Sequence, residues 1–335
     1  MTDSFGREPP YALGIEEELF LVDGSTFDTA PIFSRVVGEP TDELKPELFE
    51  CLVEIATPAV PDADAALAEL CRLRGELLAR AEPLGATLYS AGSHALARGA
   101  GQPLVPLERY RKLAKLLGDG VSRQLVCGLH VHVSLPDWET CLRAFEGMLP
   151  WLPTLLALSA NSPFVEGEAT GRRSERAVRL LDLPTGGTPP VLRDPADWEA
   201  ATAGDQGRRH WDIWPRPGYG TLEVRVMDMQ TDVRRSAGLA ELVGALVAAV
   251  AESEHATYDR DLYARRRERA TREAPEPGEV EALATLVDVG PLGAAVLAGR
   301  PEAERQLGLP LASVPADVVA RTLAFQSWSG PRRSG

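Results

Sequence analysis

Apolar and polar positions alternate along this chain in ways that divide it into strand-like and helix-like runs. Residues 11–23 carry "GIEEELFLV", whose Leu, Phe, Leu and Val predict a buried first strand, although three carboxylates stand at its start. Residues 49–56, "FECLVEIA", predict a second strand, closed by Thr57 and Pro58. Residues 62–82 predict a helix, with Asp62 or Asp64 as its cap and Ala66, Leu70, Leu73, Leu77 and Ala81 on one stripe. A short strand, "ATLYSAG", follows. Residues 106–117 then predict a helix with Pro106 in its first turn, and residues 123–135 a long strand. Residues 137–160 form an apolar helical run, bent or broken around Pro150 and Pro153. Residues 161–210, rich in Gly, Pro and Arg, predict an extended loop region of the kind that covers a site. A strand over 220–228, a helix over 234–254 and an Arg/Glu-rich helical tail from Asp259 complete the pattern. Strands and helices do not alternate regularly and nothing repeats, so the class is α+β, read as a single domain over 1–335.

Composition narrows the functions. The chain is 44% hydrophobic and 25% charged, an ordinary globular balance with length enough for a core. Its net charge of −14 would repel a phosphate backbone, which argues against nucleic acid as a partner. No apolar window is long enough to predict a membrane helix, and no basic region followed by an apolar run predicts a secretory signal. Cys51, Cys71, Cys127 and Cys141 form no CxxC pair and lie in apolar surroundings. They read as reduced core thiols of a cytoplasmic protein.

The candidate chemistry lies on the strands. Side chains alternate faces, so Glu16 and Glu18 point the same way, roughly 7 Å apart, and Glu17 points the other way. The same rule pairs His130 with His132, Glu223 with Arg225, and Glu50 with Glu54. Any one such strand is also what a half-wetted antiparallel sheet produces. Together, however, these slots hold Glu, His and Arg with no Ser, Thr or Lys among them. Two like charges about 4 Å apart repel by about 4 kcal/mol at an effective dielectric near 20. Such a group therefore protonates or takes up a cation. Carboxylates with few imidazoles suit Mg2+ or Mn2+ better than zinc, and Arg225 could steady a transferring phosphoryl group.

The runs "GIEEELFLVD", "ELFECLVEIATP", "CGLHVHVSLPD", "ALSANSPF", "SER" and "WDIWPRPGYGTLEVRVMDMQT" resemble, in order from about residue 11 to 255, the motifs of the glutamate–cysteine ligase type 2 family, the YbdK-type carboxylate–amine ligases. The resemblance implies a glutamine-synthetase-like fold, an antiparallel sheet funnel with helices on its outer face. It implies that ATP phosphorylates a carboxylate, typically that of glutamate, and that an amine such as cysteine attacks the acyl phosphate to give an amide. Glu16, Glu47 and Glu54 resemble one Mg2+ ligand set, and Glu18, His130 and Glu223 a second. Arg225 resembles the arginine on the transferring phosphate, and with Glu223 forms the catalytic pair. His132, Asn161, Ser174 and Arg176 are implied substrate contacts. Trp211 and Tyr219 read as packing residues. A homodimer is also implied.

Glu47 is seven residues from Glu54, on the opposite face of any regular strand. It therefore requires a loop or bulge, and without one Glu50 takes its place. Two departures bear on activity. Trp214 stands where relatives commonly have an arginine, and Arg216 is the candidate to replace it. The C-terminal motif expected to help hold ATP survives only as "YARRRERA", with Arg266 or Arg267 as stand-ins. Alternatives are a degenerate nucleotide- or amino-acid-binding protein without turnover, and a metal-dependent hydrolase using the HxH pair.

Overall fold

Strand β1 (Leu13–Asp23) is long enough to pair with three partners, and it organises the molecule. The others are β2 (Leu44–Pro46), β3 (Leu52–Ala56), β4 (Ala86–Tyr89), β5 (Gly128–Ser134), β6 (Ile213–Arg216) and β7 (Thr221–Asp228). They form one antiparallel sheet in the order β2-β3-β1-β5-β7-β6, and β4 pairs with the far end of β1. The computed structural model describes residues 3–183, 186–203, 210–253 and 257–327.

The helices used below are α1 (Ala63–Ala81), α2 (Glu108–Leu117), α3 (Trp138–Met148), α4 (Leu152–Ser159), α5 (Val233–Ala251), α6 (Arg260–Ala270), α7 (Glu302–Leu307) and α8 (Val314–Thr322). Asp62 caps α1 by accepting a hydrogen bond from the Ala65 amide at 2.8 Å. The predicted stripe of α1 is its buried face, and α5 buries Leu239, Leu242, Val243, Leu246 and Val247. Both helices pack against one face of the sheet and against each other. The opposite face is left for the candidate site.

Several predicted boundaries move. The apolar run 137–160 is two helices, α3 and α4, with Pro150 between them and Pro153 in the first turn of α4. The second predicted strand is shorter than 49–56, and the chain turns before it. The region 161–210 is not a loop throughout. It contains a hairpin of Phe164–Val165 with Glu168–Ala169 and helices at Arg176–Arg179 and Pro195–Thr202. Strand β6 was hidden by Pro215. A proline argues against a central strand, yet β6 lies at a sheet edge, where the missing N–H breaks no ladder; Pro46 at the other edge behaves alike. All four cysteines are free thiols, with Cys71 half-buried and the others buried. Among the described residues no helix is long and apolar enough to cross a membrane.

Beneath the sheet, Glu17 meets Arg74 of α1. Both are fully buried, and the guanidinium donates from Nε and Nη2 to the two carboxylate oxygens, each at 2.7 Å. Arg74 also donates to the carbonyls of Thr231 at 3.1 Å and Gln230 at 3.2 Å, tying α1 to the segment that follows β7. A desolvated pair of this kind is costly to break, because the surviving charge stays buried. Arg74→Ala is expected to destabilise the fold by about 3–5 kcal/mol, measured by chemical denaturation. A change below about 1 kcal/mol would show that the pair does not hold α1 to the sheet.

Candidate active site

The register of the sheet assembles the site. Glu18 of β1 faces Glu54 of β3, which in turn faces Lys45 of β2; Glu16 faces His130 of β5; and Glu223 of β7 faces His132 on one side and Trp214 of β6 on the other. A register shift between β5 and β7 inserts an extra residue into β7 beside Arg225, a bulge of the kind that re-aims a side chain. Glu47 sits in the loop just after β2 and not in β3. The loop resolves its spacing from Glu54, and Glu50 instead accepts hydrogen bonds from the Ser34 amide and hydroxyl.

These residues surround a cavity of about 470 Å3. Glu16, Glu18, Glu47, Glu54, His130, Arg176, Arg216 and Arg225 line it, together with Lys45, Arg109 and Trp214. Glu223 is buried behind this lining. Two groups of donor atoms each fall within 4.8 Å of one another: Glu16, His130 and Glu223, and Glu18, Glu47 and Glu54. Relative to the sets the sequence suggested, Glu16 and Glu18 exchange places, because β3 lies opposite Glu18 and His130 opposite Glu16.

The two groups differ electrostatically. Burial would raise Glu223, but Arg225, then His132 and Arg216, hold it down to about 2. Arg225 is ion-paired directly with Glu223. Burial likewise opposes ionisation of Glu16, yet the hydrogen bonds of His130 and His132 keep its carboxyl well below the usual range. In the second group, burial followed by repulsion from Glu16 raises Glu54 to about 7, against the pull of Lys45. Glu47 is pushed well above the usual range by burial, then by Glu18 and Glu54. The Lys45 ammonium lies 3.0 Å from both Glu16 and Glu54, bridging the groups.

Carboxylate oxygens with one imidazole and no thiolate form a donor set for a hard divalent cation such as Mg2+ or Mn2+. The buried Glu223 Oε2 has no hydrogen-bond partner, and so has a lone pair to offer a cation. The residues therefore fit the expected group.

Two residues of the lining, Lys45 and Arg109, are not singled out by the sequence analysis. Arg109 reaches the cavity from α2, its guanidinium 4.6 Å over the Tyr110 ring and bonded to the Pro46 carbonyl at 3.2 Å. Lys45 could have been flagged from its place two residues before Glu47, but its partner Glu54 is fixed by strand pairing. Arg216 is held over the rings of Trp214 at 5.6 Å and Tyr219 at 5.3 Å, and its Nε lies 3.5 Å from Glu223. Tyr219, read as a packing residue, is exposed and lines the cavity. Arg176 is buried against Gly128, where a Cβ would fall 2.1 Å from its Nη2, so no side chain fits at 128.

Other expected residues do not reach the cavity. Asn161 and Ser174 are fully buried around Asp228, a residue the sequence did not single out. Asp228 accepts from the Asn161 amide at 2.9 Å, from Ser162 Oγ at 2.7 Å and from Ser174 Oγ at 2.8 Å. His132 is buried, with Nδ1 2.9 Å from Thr221 Oγ1 and Nε2 3.7 Å from Glu16. Arg266 is engaged by the Pro150 carbonyl, Tyr258 and Glu279, and Arg267 is locked to Asp212 and the Ala177 carbonyl. The polar groups nearest to each arginine capture it before it can face the site.

Comparison with known proteins shows the family and the fold. The family model described as glutamate-cysteine ligase family 2 matches residues 12–286, and the chain belongs to that family. A relative in Rubrobacter xylanophilus, named "Putative glutamate--cysteine ligase 2-3", is 39% identical over 76% of this chain and 74% of its own length. One from Roseiflexus castenholzii, named "Putative glutamate--cysteine ligase 2", is 34% identical over 71% of this chain and 66% of its own. Among solved structures, the glutamate–cysteine ligase of Francisella tularensis in complex with AMP superposes with a TM-score of 0.68 at 14% identity, over 98% of this chain and 91% of that one. A bifunctional glutathione synthetase from Pasteurella multocida gives 0.65 at 16% identity, over 95% of this chain and 51% of that one. The fold is thus the glutamine-synthetase-like sheet with helices on its outer face.

Because Glu54 sits near 7 when folded, against an ordinary 4.5, the folded chain holds more protons than the unfolded one between those values. Without a cation, Glu54 therefore costs stability as pH rises through that window. A divalent cation binds the ionised carboxyl and reverses the sign. Mn2+ is expected to raise the melting temperature more at about pH 8 than at about pH 5.5, read by differential scanning fluorimetry. Equal shifts at both pH values would rule out cation binding at Glu54.

Proposed function

We propose that this protein is an ATP-dependent ligase that joins a carboxylate, with glutamate as the reference donor, to an amine. The observation that carries the reading is the convergence of five carboxylates, His130 and four arginines around one cavity in a chain of this family. The relatives' names supply the glutamate–cysteine pairing, and the residues supply the means.

In this reading a carboxylate oxygen attacks the terminal phosphorus of ATP, and ADP departs. The amine nitrogen then attacks the acyl carbon, the phosphate departs, and the amine loses a proton as the amide forms. Glu16, His130 and Glu223 would hold one divalent cation, and Glu18, Glu47 and Glu54 another. Such cations, when bound, neutralise the crowded phosphates and polarise the phosphoryl oxygens. Arg225, now paired with Glu223, can swing its fork toward a phosphoryl group at the same place, where a preorganised cation stabilises charge that develops in transfer. Arg176 and Arg216 are further cations of the lining available to a substrate carboxylate. Asn161 and Ser174 act at a distance, through Asp228, by fixing the segment that carries Arg176: Ser162 Oγ, which donates to Asp228, accepts from the Arg176 amide at 3.1 Å. Trp214 in place of a cation makes one wall of the cavity apolar, which favours an acceptor other than cysteine.

A second reading, a nucleotide-binding protein without turnover, is favoured by Arg266 and Arg267, which are both consumed away from the cavity. ADP release separates the two. With Mg2+-ATP, glutamate and a panel of amines including cysteine, a ligase gives amine-dependent ADP and a matching amide by mass spectrometry. Stabilisation by ATP with no ADP from any amine or alternative carboxylate supports the binder instead. Glu16→Gln is expected to lower turnover by at least about a hundredfold at unchanged melting temperature, on the scale of a lost transition-state charge contact. Full activity in that variant would remove Glu16 from the site.

A further inference from the structure

A second cavity, of about 380 Å3, lies at the junction of the N-terminal turn of α5, the start of α7 and the end of α8. Arg235, Arg300, Arg305 and Arg321 line it with Glu302 and Glu304. That is an unusual concentration of guanidinium groups in a chain of net charge −14.

The two carboxylates are already engaged. Glu302 is buried and accepts from the amides of Thr231 at 2.6 Å and Asp232 at 3.2 Å and from Asn161 Nδ2 at 3.3 Å. Glu304 accepts from Arg173 at 3.2 Å and lies 3.6 Å from Arg300. Arg305 is ion-paired with Asp317, and Arg235 is tethered to the Leu158 carbonyl at 2.9 Å and to Gln230 at 3.3 Å. Positive charge is still left over. Arg321 stands 3.7 Å from Glu302, and its Nε is buried without a hydrogen-bond partner, as are Nε and Nη2 of Arg305. Buried donors without acceptors are rare in folded proteins and mark a place where an acceptor belongs. Arginine forks that converge with spare donors match the oxygens of a phosphoryl group.

We infer that this cavity is a second ligand site, for a small polyanion bearing a phosphate or pyrophosphate group, separate from the carboxylate-lined cavity. Arg300, Arg305 and Arg321 lie beyond residue 286, where the match to the family model ends. Its position gives it a route to the first cavity. Glu302 holds the Asn161 amide group, Asn161 and Ser174 hold Asp228, and the Ser162 hydroxyl between them receives the amide of Arg176. An anion that draws Arg321 away from Glu302 loads one end of this chain of contacts. The site is therefore regulatory.

Inorganic pyrophosphate is the probe, added to the full chain in EDTA so that no cation bridges it to the first cavity. Saturable binding by calorimetry is expected in the wild type. It should weaken by at least about tenfold in Arg300→Gln/Arg321→Gln, the scale of lost charge-assisted hydrogen bonds, and persist in Arg225→Gln. Arg300 is 87% exposed, so Arg300→Gln alone leaves the fold intact and should itself weaken binding severalfold. No saturable binding, or binding lost in Arg225→Gln and kept in the double variant, would overturn the site. Pyrophosphate should also slow amide hydrogen exchange across residues 161–176 in the wild type and leave it unchanged in the double variant. Unchanged exchange in a wild type that binds would overturn the regulatory link.

Discussion

Like charges crowded onto one face of a sheet are the constraint that the rest of this structure answers. Five carboxylates gather around one cavity, where each nearby pair repels by several kcal/mol in a partly desolvated setting. The protein meets that cost in three ways. Arg225 and the imidazoles keep Glu223 and Glu16 ionised. Lys45 spans Glu16 and Glu54. The remainder, on Glu54 and Glu47, is left uncompensated as a raised proton affinity. That remainder is what the proposed cation would offset.

The rest of the fold keeps this arrangement rigid. The Glu17–Arg74 pair sits directly beneath the charged face and ties β1 to α1 and to the segment after β7. Asp228 performs a similar task above the sheet, gathering the Asn161 amide and two serine hydroxyls. Gly128 leaves room for the Arg176 guanidinium. Each of these contacts is buried, where a satisfied polar network specifies one geometry and an unsatisfied one is costly.

The charged residues of the two cavities lie in different kinds of place. Glu16, Glu18, Glu54, Glu223 and Arg225 are on strands, where pleat and pairing fix their direction, and Glu47 is in the loop after β2. Trp214 and Arg216 lie on the edge strand β6, and Arg300, Arg305 and Arg321 on the C-terminal helices and their connections. Edge strands and peripheral segments carry fewer pairing constraints, so side chains there can change without disturbing the charged face.

The sequence by itself determined which side of each strand carries chemistry. Alternation with period two separates Glu16 and Glu18 from Glu17, and it is a local property of extended backbone that needs no partner. It also determined the α1 stripe and cap, and the α+β class. It left open how the strands pair. That choice decided that Glu18 joins Glu47 and Glu54 while Glu16 joins His130 and Glu223, because register is set by contacts between residues far apart in the chain. Strand β6 stayed hidden because a proline is tolerated only at an edge, and edges exist only once the sheet is ordered. The fates of Arg266, Arg267 and Asn161 were equally out of reach. A long or polar side chain is captured by whichever buried partner tertiary packing brings nearest, and Asp212, Glu279 and Asp228 come from distant parts of the chain.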